Sequence, residues 1–437
     1  MSLQVFNQLE SEVRGYIRSF PVLFTRAKGA QLWDEKNNDY IDFFSGAGTL
    51  NYGHNEPSLK DAAIDYIKSD GVIHGLDMAT EAKKEFMETF DSLILGPRGM
   101  NYKMQFTGPT GTNAVEAALK IARQVKKRSN IISFTNGFHG VSGGSLATTG
   151  NSKFRDAAGT SLGDVTFMPY CGYFGDQVDT IDHLNQLLED SSSGLDHPAA
   201  VIVETVQGEG GVNAASFDWL KRLEKLCQRH DMLLIVDDIQ VGCGRTGSFF
   251  SFEGAQIEPD IITLSKSLSG YGLPMALVLM KPKHDVWRVG AHNGTFRGNN
   301  LAFVTATETL KKFWKQEHFQ DEVERKGIII KSWLQHISDI YPEGQFSVRG
   351  RGMMRGLHSD QPELIHRIAE MAFENGVVIE TSGSRDDVLK ILAPLIISDE
   401  LLRNGLSILE SCVAKALSVS TRSKKNVRPL KSIGGAS

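Results

Sequence analysis

Three short stretches of the chain combine residue types and spacings that could do chemistry together. The first is Thr107-Gly108-Pro109-Thr110-Gly111-Thr112-Asn113, which runs straight into AVEAALKIARQ. Gly and Pro interrupt the chain, Thr or Asn can cap, and a helix begins at once. Such a start offers free N–H groups, the hydroxyls of Thr110 and Thr112, and close approach at Gly111, all suited to a phosphate. A plain capped helix is the ordinary alternative. No Gly-Lys-Ser/Thr follows, which argues against a nucleoside triphosphate loop. The second stretch, LLIVDDIQVGCGRTG, is an apolar strand that delivers Asp237 and Asp238 to its carboxyl end, where ligands gather in open α/β sheets. Neighbouring strand residues point to opposite sides, so one carboxylate faces a site and the other serves the scaffold. The third, IITLSKSLSGYGLP, sets Lys266 at the end of an apolar strand among small residues. Burial lowers an amine's pKa and frees it to attack a carbonyl.

Each stretch alone has a structural reading: a cap, an ion pair, an exposed lysine. Together they supply a phosphate cradle, a carboxylate for a pyridine nitrogen and an amine for an aldehyde, the parts that pyridoxal 5'-phosphate requires. Asp237 would keep the ring nitrogen protonated, so that the ring accepts electrons from a carbanion. Phe138, in NGFHG, could stack on the ring, with core packing as its alternative role. Gln240, three residues beyond Asp237, could reach the ring hydroxyl.

These residues need a scaffold, and the middle of the chain reads as one. Ile131–Phe134, Ala200–Glu204, Leu233–Asp237 and Ile261–Leu264 are short β-branched runs without polar alternation, as expected of parallel strands covered on both faces. The amphipathic stretches Asn113–Lys126, Ile181–Leu188 and Phe217–Arg229 read as helices between them. Strand–helix alternation predicts an α/β domain, placed at residues 57–319. Beyond it, a helix over Phe319–Ile340, the Gly-rich VRGRGMMRGL and shorter pieces at Pro362–Glu374, Val377–Glu380, Leu389–Ile391 and Asp399–Ala416 predict a smaller α+β domain at 320–417. Residues 1–56 are expected to join that smaller domain. Residues 418–437, rich in Ser and Lys and without periodicity, read as a disordered tail.

Bulk properties narrow the class. At 437 residues and 41% apolar content the chain can bury a large core. A net charge of −5 and a pI near 6.2 do not suggest nucleic acid or an anionic membrane as partner. The four cysteines form no C-x-x-C pair, no histidine cluster has zinc spacing, and no metal is expected. No apolar run approaches the roughly 20 residues of a membrane helix, and the charged start lacks the apolar stretch of a signal peptide. A cytoplasmic protein with small-molecule partners is the expectation.

The ordered motifs TGPTGTNAVEAALK, VETVQGEGG, IVDDIQVGCGRTG and LSKSLSGYGLP resemble the class III, or ω-type, aminotransferases, from about Trp33 to Ala416. The resemblance implies fold type I, with a large domain built on a mainly parallel seven-stranded sheet and a smaller α+β domain. It implies Lys266 as the lysine that bonds the cofactor and shuttles the proton, and Asp237 as the partner of the ring nitrogen. Gln240 would lie near the ring oxygen, Thr110, Gly111 and Thr112 at the phosphate, and Phe138 on the ring face. Thr295, in HNGTFRGNN, would reach the phosphate of a neighbouring subunit, so a homodimer or larger assembly with shared sites is implied. LESEVRGYIRSFPVLF, IDFFSGAGTLNYGHN, DGVIHGLDM and SFTNGFHGVSGGSLATTGN are similar to one branch of the family. That branch moves the amino group of L-glutamate to L-aspartate 4-semialdehyde, yielding L-2,4-diaminobutyrate and 2-oxoglutarate by a ping-pong route at the start of ectoine synthesis. An amino donor and an aldehyde acceptor are therefore the implied partners.

Two positions depart from the family pattern. His139-Gly140-Val141-Ser142 stands where many relatives have an arginine that grips a substrate carboxylate, and Lys390 stands where another such arginine is expected. The carboxylate anchors are therefore not carried over, and Glu209 matches a glutamate that can pair with such a cation and switch between substrates, with its partner in this chain left open. Gly46-Ala47-Gly48-Thr49 lines the pocket or forms a turn. Arg245 reads as scaffold, Arg349, Arg351 and Arg355 as ion-pair residues, and His54 and His139 as locally hydrogen-bonded. The rivals are another ω-aminotransferase, or a decarboxylase, aminomutase or racemase on the same scaffold. A non-catalytic regulator would carry a basic DNA-binding segment, which the sequence does not show.

Overall fold

The computed structural model describes residues 3–425 apart from 176 and 317. Its centre is a seven-stranded sheet in the order Lys103–Phe106, Leu277–Met280, Ile261–Leu264, Leu233–Asp237, Ala200–Val203, Ile131–Phe134, Val165–Met168. Only Leu277–Met280 runs against its neighbours; the other pairings are parallel. The strands are four or five residues long and side chains alternate between two faces. Ile132, Val201, Leu234, Val236 and Ile262 enter one apolar core, and Ile131, Ala200, Ile202, Leu233, Ile235 and Ile261 enter another. Both faces are covered at the centre of the sheet, so its inner strands read as near-continuous apolar runs, whereas Lys103–Phe106 and Val165–Met168 at its two edges carry polar residues.

The second core is lined by the helix Gly111–Lys126, whose Ala114, Val115, Ala117, Ala118, Leu119, Ile121 and Ala122 are all fully buried. Four small alanines let this helix sit close to the sheet, which fixes its N-terminus at the strands' carboxyl edge. Because six strands run the same way, Thr107, Thr135, Glu204, Asp238 and Ser265 all leave the sheet at that edge. Residues far apart in sequence are thereby collected along one line.

A separate apolar core joins the helices His318–Ile340, Pro362–Glu374 and Asp399–Lys425 with a four-stranded sheet ordered Phe346–Arg351, Met354–Ser359, Val388–Ile391, Glu380–Ser382. Ala30, Ile41 and Phe43 from the N-terminal segment belong to the same core. There Asp39–Asp42 pairs in parallel with Val377–Val378.

Several details correct the sequence reading. The Gly-rich VRGRGMMRGL, to which the sequence reading gave no element, is most of a hairpin, Phe346–Arg351 and Met354–Ser359. Its glycines serve close approaches: a Cβ on Gly350, at φ +96°, would stand 2.0 Å from the Met354 carbonyl oxygen. Val377–Glu380 is not one strand but the junction of two, Val377–Val378 and Glu380–Ser382, in different sheets. The last helix does not stop at Ala416 but continues to Lys425. Residues 426–437, the rest of the expected tail, lie outside the described residues.

Candidate active site

Lys266 follows the strand Ile261–Leu264 with φ +48°. A non-glycine residue in this left-handed region costs about 1–2 kcal/mol, and such strain gathers where a side chain must be aimed. Its Nζ donates to the Ala47 carbonyl at 2.8 Å. That carbonyl is itself unusually presented. Ser45, Gly46, Ala47 and Gly48 all have positive φ, so Gly46-Ala47-Gly48 forms a left-handed turn at the pocket. Asp42 anchors it by accepting the N–H groups of Phe44 and Ser45 at 2.8 and 2.7 Å, and His54 Nε2 lies 2.8 Å from Asp42. Burial lowers the Lys266 pKa, with Lys390 adding to the effect; Glu209, Glu380 and Asp237 oppose it.

Asp237 and Asp238 part as their alternation requires. Asp238 is fully buried in the scaffold, taking the Ser251 N–H at 3.1 Å and the Ser251 hydroxyl, and burial pushes its carboxyl up to about 7. Asp237 accepts from Thr263 Oγ1 at 3.1 Å and the Ile239 N–H at 3.2 Å, and its other oxygen is 2.7 Å from His139 Nδ1. Burial works against a charged His139, yet the hydrogen bond and charge of Asp237 outweigh it and raise its pKa.

At the start of the helix Gly111–Lys126, the N–H groups of Gly111 and Thr112 have no acceptor among the described residues. Thr110 Oγ1 donates to Asn113 Oδ1 at 2.8 Å, and Thr112 Oγ1 pairs with Ser142 Oγ at 2.8 Å and with Ser145 Oγ. Gly140 must be glycine: at φ +136° a Cβ would stand 2.5 Å from Thr112 Oγ1. Phe138 packs edge-on against Phe154 at 5.3 Å, and its N–H donates to Glu204 at 2.9 Å. Thr295 is exposed, on a turn that passes Gly108 of its own chain.

Lys390, with no exposed surface, sits between two carboxylates, 2.7 Å from Glu209 Oε1 and 2.8 Å from Glu380 Oε1. Gln240 Nε2 donates to the same Glu209 oxygen at 2.9 Å and to the Ala47 carbonyl at 3.0 Å. Lys390 and Gln240 draw the Glu209 carboxyl down to about 2 despite its burial, while burial pushes Glu380 up to about 7. Glu209 and Phe138 also border a cleft of about 320 Å³, shared with Phe154, Thr381, Ser382 and Gly383.

The profile of the family described as Aminotransferase class-III matches residues 14–413. The chain belongs to that family. Pyridoxal phosphate is therefore its cofactor, and the residues present fit it. Among the described residues, Gln240 Oε1 is buried with no hydrogen-bond partner and the Lys266 amine reaches only a carbonyl. Two N–H groups stand free at a helix start. The aminotransferase is 67% identical to the diaminobutyrate–2-oxoglutarate transaminase of Bordetella parapertussis, over 96% of each chain. It is 56% identical to the enzyme of the same name from Halomonas elongata, over 96% of this chain and all of that one. Among solved structures, the ornithine aminotransferase of Toxoplasma gondii superposes with a TM-score of 0.82 at 26% identity, covering 96% of this chain and 95% of that one. An S-selective transaminase from Arthrobacter shares the fold at TM-score 0.86 and 21% identity, over 96% and 98% of the chains. The fold is thus type I of the pyridoxal-phosphate enzymes.

Some site residues escaped the sequence reading. His139 is not merely a local hydrogen-bonder but the partner of Asp237. Glu204 ends a strand and holds the backbone of Phe138. Glu380 carried no motif. Arg349, Arg351 and Arg355 depart from the ion-pair expectation: their bonds run to backbone carbonyls of Gly211, Ala215, Gly350 and Gly352 and to Asn213. Arg245, fully buried, ties Asn51 to the Met353 and Ala393 carbonyls, as a scaffold residue would.

Proposed function

We propose that this aminotransferase moves the amino group of L-glutamate to L-aspartate 4-semialdehyde, giving L-2,4-diaminobutyrate and 2-oxoglutarate in two half-reactions, as at the start of ectoine synthesis. The observation that carries the reading is the Glu209–Lys390 pair at 2.7 Å. An enzyme of this kind must accept a dicarboxylate in one half-reaction and an ω-amine in the other. A buried cation masked by a movable carboxylate meets both needs, because Lys390 is neutralised when no substrate carboxylate is present. The names of the Bordetella and Halomonas relatives support the same pair of substrates.

In this reading Lys266 Nζ would be the amine that holds the cofactor by its aldehyde and, once freed, the base that moves the proton at the substrate carbon. Pyridoxal phosphate, when bound, supplies an electron sink for the carbanion. Asp237 would keep the proton on the ring nitrogen, with His139 fixing the carboxylate. Thr110, Gly111 and Thr112 would hold the phosphate at the helix start, and Phe138 would cover the ring. Gln240, bonded to Glu209 through Nε2, would offer its Oε1 to the ring hydroxyl. Thr295 would complete the phosphate site of a second subunit, so a homodimer or larger assembly is part of the proposal. So is a cytoplasmic location, which fits four free cysteines and the absence of any helix long and apolar enough to cross a membrane among the described residues.

Incubation of the holoenzyme with L-glutamate alone tests the donor half. Conversion of the cofactor's absorbance to the pyridoxamine form, with stoichiometric 2-oxoglutarate, is expected; release of CO₂ without that conversion would replace transfer by decarboxylation. Presenting the converted enzyme with a panel of aldehydes then tests the acceptor. Faster recovery with a longer ω-aldehyde than with L-aspartate 4-semialdehyde would shift the assignment to another ω-aminotransferase.

A further inference from the structure

The cation at position 390 has a second carboxylate that the two-substrate scheme does not use. Glu380 lies on the strand Glu380–Ser382, opposite Lys390 on Val388–Ile391 in register, and it is buried. Lys390 donates a hydrogen bond to Glu209 at 2.7 Å. Its 2.8 Å approach to Glu380 Oε1 is an ion pair in which that oxygen accepts no well-aligned hydrogen bond. The other Glu380 oxygen lies 3.5 Å from Tyr16 Oη. The two carboxylates are therefore held differently. Glu209 stands on the loop beyond Val206–Gln207, beside the cleft and bonded through Gln240 to the Lys266 turn. Glu380 is fixed in a sheet.

The chemistry of lysine makes this difference matter. A guanidinium is a rigid fork that stays in place by several bonds, whereas an ammonium is a point charge on a flexible stem. When Glu209 turns away to admit a substrate carboxylate, an ammonium with no other partner would follow it or lose its proton in the buried site. We propose that Glu380 is a positioning residue for the amino donor, which holds Lys390 charged and in place while Glu209 is displaced by the glutamate carboxylate. One lysine with a fixed and a movable carboxylate then does what a single arginine does by its own geometry. The half-reaction of the ω-amine runs with Glu209 and Lys390 joined and does not need the fixed partner.

This inference rests on the proposed function, so release of 2-oxoglutarate from L-glutamate by the wild-type holoenzyme is measured first; its absence overturns both. Glu380→Gln keeps the shape and removes the charge. Single-turnover titrations of the holoenzyme with L-glutamate and, separately, with L-2,4-diaminobutyrate are then compared. A rise of about tenfold or more in the glutamate half-saturation, with the diaminobutyrate value and the maximal rates of both within about twofold, is expected. Equal losses with both substrates would make Glu380 a structural residue and overturn the proposal. A loss confined to diaminobutyrate would overturn it in favour of a contact with that substrate's ammonium. Unchanged values for both overturn it too. Should the glutamine variant fail to fold, Glu380→Asp, which draws the charge back by one methylene, is expected to show the same one-sided rise, and an even-handed or absent effect overturns the proposal.

Discussion

At the scale of single residues, the site is a set of charges kept where they are by partners outside it. Lys266 has its ammonium destabilised by burial and nearby Lys390, and its backbone held in a left-handed conformation. Lys266→Ala is expected to abolish the absorbance of the lysine-bound cofactor while leaving phosphate-anchored cofactor detectable after denaturation; a persisting band would place the bond on another lysine. Asp237→Asn keeps the shape but cannot hold the ring proton. It is expected to retain cofactor and lose roughly 10²–10³ in rate, with wild-type turnover pointing to Asp238 instead. His139 adds a pH dependence. Its folded pKa is raised by Asp237 over the usual 6.5, so the pair's contribution to stability is full below about pH 6.5 and is lost as pH rises through the higher folded value. Thermal midpoints measured across that window are expected to fall more steeply for the wild type than for His139→Gln. Parallel curves would show that the histidine does not charge there.

At the scale of elements, parallel strands and one helix start do the positioning. The helix Gly111–Lys126 is set against the sheet by alanines, its first N–H groups are free as at any helix start, and glycine at 140 leaves room for the Thr112 hydroxyl beside them. Gly140→Ala combines an unfavourable φ with a 2.5 Å clash. It is expected to weaken pyridoxal-phosphate binding by about tenfold, or roughly 1.4 kcal/mol, as read by equilibrium dialysis of the reconstituted protein. Unchanged affinity would free the phosphate site from dependence on this turn. The left-handed turn at Ser45–Gly48 positions side chains on the other side, where the Ala47 carbonyl receives both Lys266 and Gln240.

At the scale of the whole molecule, the residues proposed to hold the cofactor stand at the seven-stranded sheet and the buried cation proposed to read the substrate on the smaller one. Lys390 and Glu380 share the smaller sheet, whereas Asp237 ends one strand of the larger and Lys266 stands just beyond another. Contacts such as Arg245 to Met353 and Ala393, and Lys326 to the Leu395 carbonyl at 2.9 Å, keep the chain around the pocket tied together. Thr295 is exposed in the single chain. Thr295→Ala is expected to speed cofactor loss on dilution in proportion to the dimer present, followed by size-exclusion chromatography and residual absorbance. An effect equal in monomer and dimer would confine the residue to its own subunit.

The sequence by itself determined the reacting parts: the strand-end Lys266, the alternation that separates Asp237 from Asp238, and the Thr-Gly-Thr helix start. These are local signals, because strand period, helix start and small-residue turns are written within a few residues of the groups they aim. It also showed four of the seven central strands, whose burial on both faces leaves apolar runs, but passed over Lys103–Phe106, Val165–Met168 and Leu277–Met280. What only the tertiary structure decided is the company each charge keeps. Lys390 meets Glu209 across 181 residues and His139 meets Asp237 across 98, and no local pattern encodes such meetings. They follow from which strands lie side by side and in what register, and so the charge pairs were the last part of the candidate site to become legible.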